Sequence, residues 1–286
     1  MAVCIHPTAL VAPEAVLCDG VEIGPYCVVS GNVIIGVGTK LAAFVRIRDY
    51  VEIGRDCTIA ENAVLGGEPQ DHDFKGEVTW VRIGNGVIIR ESVTVHRSTG
   101  EGTCTSVGDE CFLMEGVHVG HNVKIGKNVT VANKAGFAGH SSVGDGAVIG
   151  GMAGLHQFTR VGKLCMIGGL SKVVKDIPPF LMVDGHPARI EALNVVGLRR
   201  AGFGREQRTA IKDAYAHLYR SGLLLRDAAV RLREESQETV VRDILDFISG
   251  SKRGVALWRA KGASSEHDAI ISGKGSDECG DSSSGT

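Results

Sequence analysis

Read from Ile5 in steps of six, the chain returns to an apolar side chain almost without a miss as far as Val173. Of the 29 positions in this register, 26 hold Ile, Leu, Val or Phe, and Asp71, Glu77 and Glu101 are the breaks. An amphipathic helix repeats every 3.6 residues and a half-buried strand every two, so neither produces a strict six. A six-residue period belongs to a β-solenoid built from hexapeptides. One apolar anchor per hexad faces inward from each flat side, and three hexads close a triangular coil. Residues three hexads apart then stack on successive coils, about 4.8 Å from each other. The span 5–173 predicts roughly nine coils, a prism on the order of 45 Å long.

Four residues after an anchor stands a small side chain, as at Ala15, Cys27, Thr39, Cys57, Ala135 and Ser141, which suits a tight coil interior. Glycine often follows the anchor directly, as at Gly24, Gly36, Gly54 and Gly126. Corners need backbone angles that glycine adopts cheaply, and this is the expected reason for those glycines. The register breaks mark two excursions, about 67–81 and 98–106. Both return in phase, so each replaces whole hexads. A polar segment ejected from a regular solenoid is a candidate for function.

After the IPPF segment at 177–180 the pattern changes, and from about 190 to 258 the apolar spacing becomes helical. Residues 205–222 read as an amphipathic helix with a glycine stop, and two more follow. The expected domains are a solenoid over 1–187, a small helical domain over 188–262 and a disordered tail over 263–286. Residues 188–262 carry 15 Lys and Arg against 9 Asp and Glu, while residues 1–187 carry 15 against 19. The basic charge is segregated onto the helical part, which suggests an acidic partner or an anionic substrate. The whole chain has a formal net charge of −2, so no nucleic-acid footprint is expected. No apolar run is long enough to span a membrane. The repeat begins by Ile5, which leaves no room for a signal peptide. The eight cysteines form no CxxC pair, and Cys27, Cys57, Cys111 and Cys165 read as buried thiols of a cytoplasmic protein.

His121, His140 and His156 are 19 and 16 residues apart, so on the coil period they fall near one edge of the prism. His118 belongs to the same coil as His121. Three readings are open: surface histidines placed by chance, a metal site, or acid–base chemistry. A zinc site needs three ligands converging at about 2.0–2.1 Å, whereas these are spread over about 10 Å of the axis. A neutral histidine is well matched to removing a proton from an alcohol near neutral pH. A purely structural or metal-binding solenoid is the non-enzymatic alternative. His6, His72 and His96 read as surface or loop residues, and Trp80 and Trp258 as packing residues.

The segments RESVTVHRST (90–99), EGVHVGHN (115–122), AGHSSVGD (138–145), AVIGGMAGLHQF (147–158), KDIPPF (175–180) and GLRRAGF (197–203) together resemble the UDP-N-acetylglucosamine O-acyltransferase family. The resemblance covers about residues 3–257. It implies a mostly β protein, a left-handed parallel β-helix followed by a small helical domain, and a homotrimer with sites between neighbouring prisms. It implies transfer of a 3-hydroxyacyl chain from acyl carrier protein to the 3-hydroxyl of UDP-N-acetylglucosamine, the first step of lipid A synthesis. No cofactor or metal is implied. Carried over motif by motif, His121 is the general base and the Gly139 N–H holds the oxyanion. His118, His140, His156 and Gln157 line the sugar-nucleotide and acyl sites, and Asp71 contacts the sugar. Asn194 and Arg200 approach the nucleotide or the carrier arm. Gly169 ends the acyl groove.

Three positions depart from the family pattern: Asn122 where many members have Asp beside the base, Val196 in place of Glu, and Ala201 in place of a second Arg. An acceptor with a 3-amino group, giving an amide, and another hexapeptide acyl- or acetyltransferase activity are the enzymatic alternatives.

Overall fold

The computed structural model describes residues 2–259. Twenty-six short strands run from Cys4–Ile5 to Lys172–Val173 and fall in rotation onto three parallel sheets. The chain winds through them as a left-handed parallel β-helix. The first face begins at Cys4–Ile5, the second at Leu10–Val11 and the third at Val16–Leu17. Pairing follows the period directly: Ile5 lies beside Ile23, Val11 beside Val29 and Leu17 beside Ile35. The anchors from Ile23 to Val173 make one continuous buried core, and Cys27, Cys57, Cys111 and Cys165 lie in it. Burial pushes their thiols up, that of Cys111 to about 11, so they stay protonated and inert.

The excursions insert whole hexads. Ile59 pairs with Ile89, a step of 30 that exceeds the coil by 12. Trp80 pairs with Cys104, a step of 24 that exceeds it by 6. Both leave the prism at the corner after the second face, between Val64–Gly67 and Trp80–Ile83 and between Thr94–His96 and Cys104–Val107.

The anchor-following glycines turn out to answer a different need from backbone freedom. Gly36 and Gly54 do not have a positive φ. A Cβ on Gly36 would stand 2.6 Å from the carbonyl carbon and oxygen of Gly54, and one on Gly54 would stand 2.5 Å from the Gly84 carbonyl oxygen. These are close approaches between coils. The left-handed backbone comes two residues later and is mostly not glycine: Tyr26, Phe44, Asn122, His140 and Phe158 have φ between 58 and 62°. Each such residue costs about 1–2 kcal/mol. The Phe44, His140 and Phe158 N–H groups each donate to a corner carbonyl of the preceding coil, which offsets part of that cost.

The strand Leu181–Gly185 adds in parallel to the first face, and Ala188–Leu193 folds back antiparallel on it. The β structure therefore continues to Leu193, beyond the point near 190 where helical spacing begins, and the 187/188 junction lies in a hairpin turn. Four helices follow: α1 (Val195–Arg200), α2 (Arg205–Arg220), α3 (Leu225–Glu235) and α4 (Thr239–Ser249). They pack on the last coils through Tyr215, whose hydroxyl donates to the Pro179 carbonyl at 2.6 Å, and through a Lys163–Asp243 ion pair at 2.6 Å. The Arg160 guanidinium lies 4.2 Å from the centre of the Phe247 ring. The expected tail over 263–286 lies outside the described residues.

Gly54→Ala should force two coils apart and destabilise the protein by about 1–3 kcal/mol. Gly136→Ala, whose Cβ would meet nothing within 4 Å, should leave stability unchanged. Thermal melts of both variants check this, with a drop of several degrees expected for the first alone.

Candidate functional site

The corner between the second and third faces carries the histidine cluster. His121 follows the strand His118–Val119 and is only 5% exposed. Its Nδ1 lies 2.9 Å from the Asn122 side-chain oxygen. That oxygen also accepts from the Thr99 N–H at 2.9 Å and its hydroxyl at 3.0 Å, while the Asn122 amide nitrogen donates to the Thr99 carbonyl at 2.9 Å. The amide is therefore oriented by the second excursion. An amide oxygen only accepts, so His121 Nδ1 carries the proton and Nε2 holds the free lone pair. In the neutral ring this tautomer leaves Nε2 as the basic atom, fixed in direction.

Nε2 points at Gly139 on the next coil. A Cβ there would stand 2.2 Å from Nε2, so this position must be glycine for the ring to sit where it does. Among the described residues, the Gly139 N–H donates to no backbone carbonyl. A basic nitrogen and a backbone N–H without a backbone acceptor thus lie side by side on adjoining coils, the two kinds of group that attack on a carbonyl needs.

The ring stack along this corner is not the one the histidine spacing suggested. His140 packs edge-on to His121 at 5.2 Å between ring centres, and Phe158 stacks on His140 at 4.6 Å. Asn122, His140 and Phe158 are 18 apart and occupy equivalent left-handed corner positions. His156, two residues earlier, is exposed, with Nδ1 3.2 Å from the Gln157 carbonyl.

A cleft of about 360 Å³ opens in front of His121, lined by Gln70, His96, His118, Gly136, Gly139 and Gln157 among others. His96 belongs to this cleft, against the expectation of a surface or loop residue. It ends the strand Thr94–His96 and packs edge-on to His118 at 5.1 Å. The register pairs Thr94 with His118 once the inserted hexad is counted, and His96, two residues on at the strand's end, reaches back to the His118 ring. His118 Nδ1 lies 2.8 Å from the Thr94 hydroxyl. Asp71, from the first excursion, brings Oδ2 within 3.7 Å of His121 Nδ1.

The remaining candidates lie elsewhere. Asn194 is buried and caps α1: its oxygen accepts from the Gly197 N–H at 3.0 Å and its amide donates to the Leu164 carbonyl at 2.9 Å. Arg200 is exposed at the end of α1. Neither lines the cleft within one chain. Gly169 is exposed at the opposite corner of the second face, next to Gly151 of the preceding coil. Among the described residues, no group of three His, Cys, Asp or Glu side chains is placed to hold a metal ion. No described helix is long and apolar enough to cross a membrane.

Residues 176–256 match the family model described as UDP N-acetylglucosamine O-acyltransferase, domain 2, and residues 104–139 match bacterial transferase hexapeptide repeats. The acyl-[acyl-carrier-protein]--UDP-N-acetylglucosamine O-acyltransferase of Burkholderia orbicola is 42% identical over 257 residues, covering 88% of this chain and 98% of that protein. The protein of the same name from Paraburkholderia phymatum is 43% identical with the same coverage. The crystal structure of the Francisella novicida UDP-N-acetylglucosamine acyltransferase superposes with a TM-score of 0.86 at 39% identity, covering 88% of this chain and 94% of that one.

Burial pushes His96 and His118 below the ordinary histidine value, and it does the same to His140, helped by the neighbouring His121. The unfolded chain therefore takes up protons near pH 6.5 that the folded cleft resists. Stability from this source is intact above that pH and lost as the pH falls below it. Denaturant unfolding between pH 7.5 and pH 5 should show this decline, and a double His96→Gln, His118→Gln variant should show a shallower one.

Proposed function

Because the chain is an acyltransferase that belongs to the UDP-N-acetylglucosamine O-acyltransferase family, we propose that it transfers a 3-hydroxyacyl chain from acyl carrier protein to the 3-hydroxyl of UDP-N-acetylglucosamine, the first step of lipid A synthesis. The observation that carries this reading is His121 Nε2, oriented through Nδ1 by Asn122 and so close to Gly139 that a Cβ there would stand 2.2 Å away. The sugar hydroxyl gives its proton to Nε2 as its oxygen bonds to the thioester carbon. The carbonyl oxygen gains charge and is held by the Gly139 N–H. When the carbon–sulfur bond breaks, the departing thiolate takes the proton from Nε2. A positioned base contributes about 10²–10⁴-fold, and a preformed donor a further 10²–10³-fold.

His118, His140, His156 and Gln157 are assigned to the sugar-nucleotide and acyl sites. The cleft lies open on one prism, and a second copy in a homotrimer would close it and bring α1, with Asn194 and Arg200, toward the nucleotide. The excess of basic residues on the helical part suits docking of an acidic carrier protein. The seven described cysteines are all free, and a location in the cytoplasm suits them.

Gly169 is assigned to the end of the acyl groove. From His118 the second face continues through Gly136 and Gly154, paired in register, and a Cβ at either would meet nothing within 4 Å. These bare positions leave a shallow floor leading toward Gly169 on the far corner. Each buried CH₂ contributes about 0.8 kcal/mol, so the open end favours longer chains of the 3-hydroxymyristoyl type.

His121→Ala should lower kcat by about 10²-fold or more, with an unchanged circular dichroism spectrum. An assay with UDP-N-acetylglucosamine and 3-hydroxyacyl carrier protein checks it, and near-normal turnover in the variant would remove His121 from the mechanism. Gly169→Met should shift donor preference toward shorter chains in competition between donors of different length. Equal preference in the two forms would take Gly169 out of the groove.

A further inference from the structure

The partner that orients His121 is uncharged. Asn122 accepts the Nδ1–H but brings no negative charge, so on its own it does little for the imidazolium that forms when Nε2 takes a proton. The charged groups around the ring are few. His140 faces it from the next coil, with His96 and His118 beyond in the cleft, and burial keeps all three toward the neutral form. The anion that comes close is Asp71, whose Oδ2 is 3.7 Å from Nδ1.

The first excursion is built to hold that carboxylate still. Asp71 Oδ1 accepts from the Asp73 N–H at 3.1 Å, and the Asp71 carbonyl accepts from the Phe74 N–H at 3.3 Å. This local turn ties one oxygen and leaves the other toward His121. The Phe74 ring lies 5.4 Å from the Arg97 guanidinium, which is 5.1 Å from the Tyr50 ring on its other contact. Arg97 is only 9% exposed, so it pins the excursion to the prism from beneath. At the far end Glu77 accepts from the Gly100 N–H at 2.8 Å and the Lys75 N–H at 2.7 Å, clipping the two excursions together.

We propose that Asp71 is the charge partner of His121: Asn122 fixes the direction of the ring, and Asp71 supplies the negative charge that stabilises it once protonated. This rests on the acyl-transfer reading and assigns Asp71 a task beyond contact with the sugar. Two unit charges at this separation interact strongly in a partly dry cleft. The proton balance is that of the transfer itself, and no proton passes to Asp71. Orientation and charge, which one carboxylate can supply together, come here from a corner amide held by the second excursion and from a carboxylate on the first.

Asp71→Asn keeps the size and the turn-forming oxygen while removing the charge. It should lower kcat by about 10-fold or more, in line with the contribution of a well-placed base, with the KM for UDP-N-acetylglucosamine little changed. The acidic limb of kcat/KM should move to lower pH, and Asp71→Glu should recover part of the rate. A raised KM with unchanged kcat and an unmoved limb would mean that Asp71 only holds the sugar, and would overturn the proposal. Ring nitrogen NMR gives a reading that needs no turnover: the His121 signals should respond over a lower pH range in Asp71→Asn than in the unaltered protein. If the unaltered protein transfers no acyl chain, the acyl-transfer reading fails, and the NMR comparison still decides whether Asp71 is the charge partner. Identical NMR responses in the two proteins would overturn it.

Discussion

Backbone hydrogen bonds between coils set everything else in this molecule. Each strand from Cys4–Ile5 to Lys172–Val173 contributes only two to four residues, too few to stand alone, and gains its stability from ladders that run the length of the prism. Those ladders work only if the backbones of successive coils approach to the distance of a sheet. Gly36 and Gly54 show what that demands, since a single methyl group at either would touch the carbonyl of the next coil. The same closeness makes the edge a ruler. A residue on one corner has a neighbour three hexads on, about 4.8 Å away, with little freedom to drift. Asn122, His140 and Phe158 are stacked by that rule.

Against this rigid frame, chemistry enters where the period is interrupted. The two excursions leave from the same corner on consecutive coils, and both turn their polar groups toward one histidine. The second brings Thr99, which grips Asn122 through three hydrogen bonds and so fixes the His121 tautomer. The first brings Asp71 and Gln70 to the rim of the same cleft. Because each insertion is a whole number of hexads, neither disturbs the register of the coils that follow. The solenoid supplies fixed positions, and the excursions supply the groups that act on them.

Period alone made the prism legible, and with it the inward cysteines, the in-phase excursions and a histidine edge. It gave the wrong reason for the glycines after the anchors, because spacing cannot separate a need for unusual φ from a need for space. It also misjudged His96. The coil period that relates residues 18 apart does not hold across an insertion: with the extra hexad counted it is Thr94 that pairs with His118, and the contact of His96 with that ring comes from its place at the strand's end. The catalytic-site resemblance reached His121 and Gly139 through motifs. What it could not carry was the reason they fit: one lone pair aimed at a position where a Cβ would stand 2.2 Å away.

Asn122 was visible in the sequence as a departure beside the proposed base, and its surroundings explain why an amide suits this chain. The Asn122 side chain meets Thr99 on both of its polar atoms: the oxygen takes two donors, and the nitrogen gives to the Thr99 carbonyl. An aspartate could accept the first two but would set a carboxylate oxygen against that carbonyl at about the same distance, two acceptors with no proton between them. The amide therefore closes the second excursion onto the prism in a way that a carboxylate would not. The cost is the loss of a negative charge against His121 Nδ1. A carboxylate 3.7 Å away on the other excursion answers that loss without facing the Thr99 carbonyl. The substitution at 122 and the pinning of the Asp71 segment by Arg97 are on this argument two halves of one arrangement, in which shape and charge around a single ring nitrogen are supplied from opposite sides.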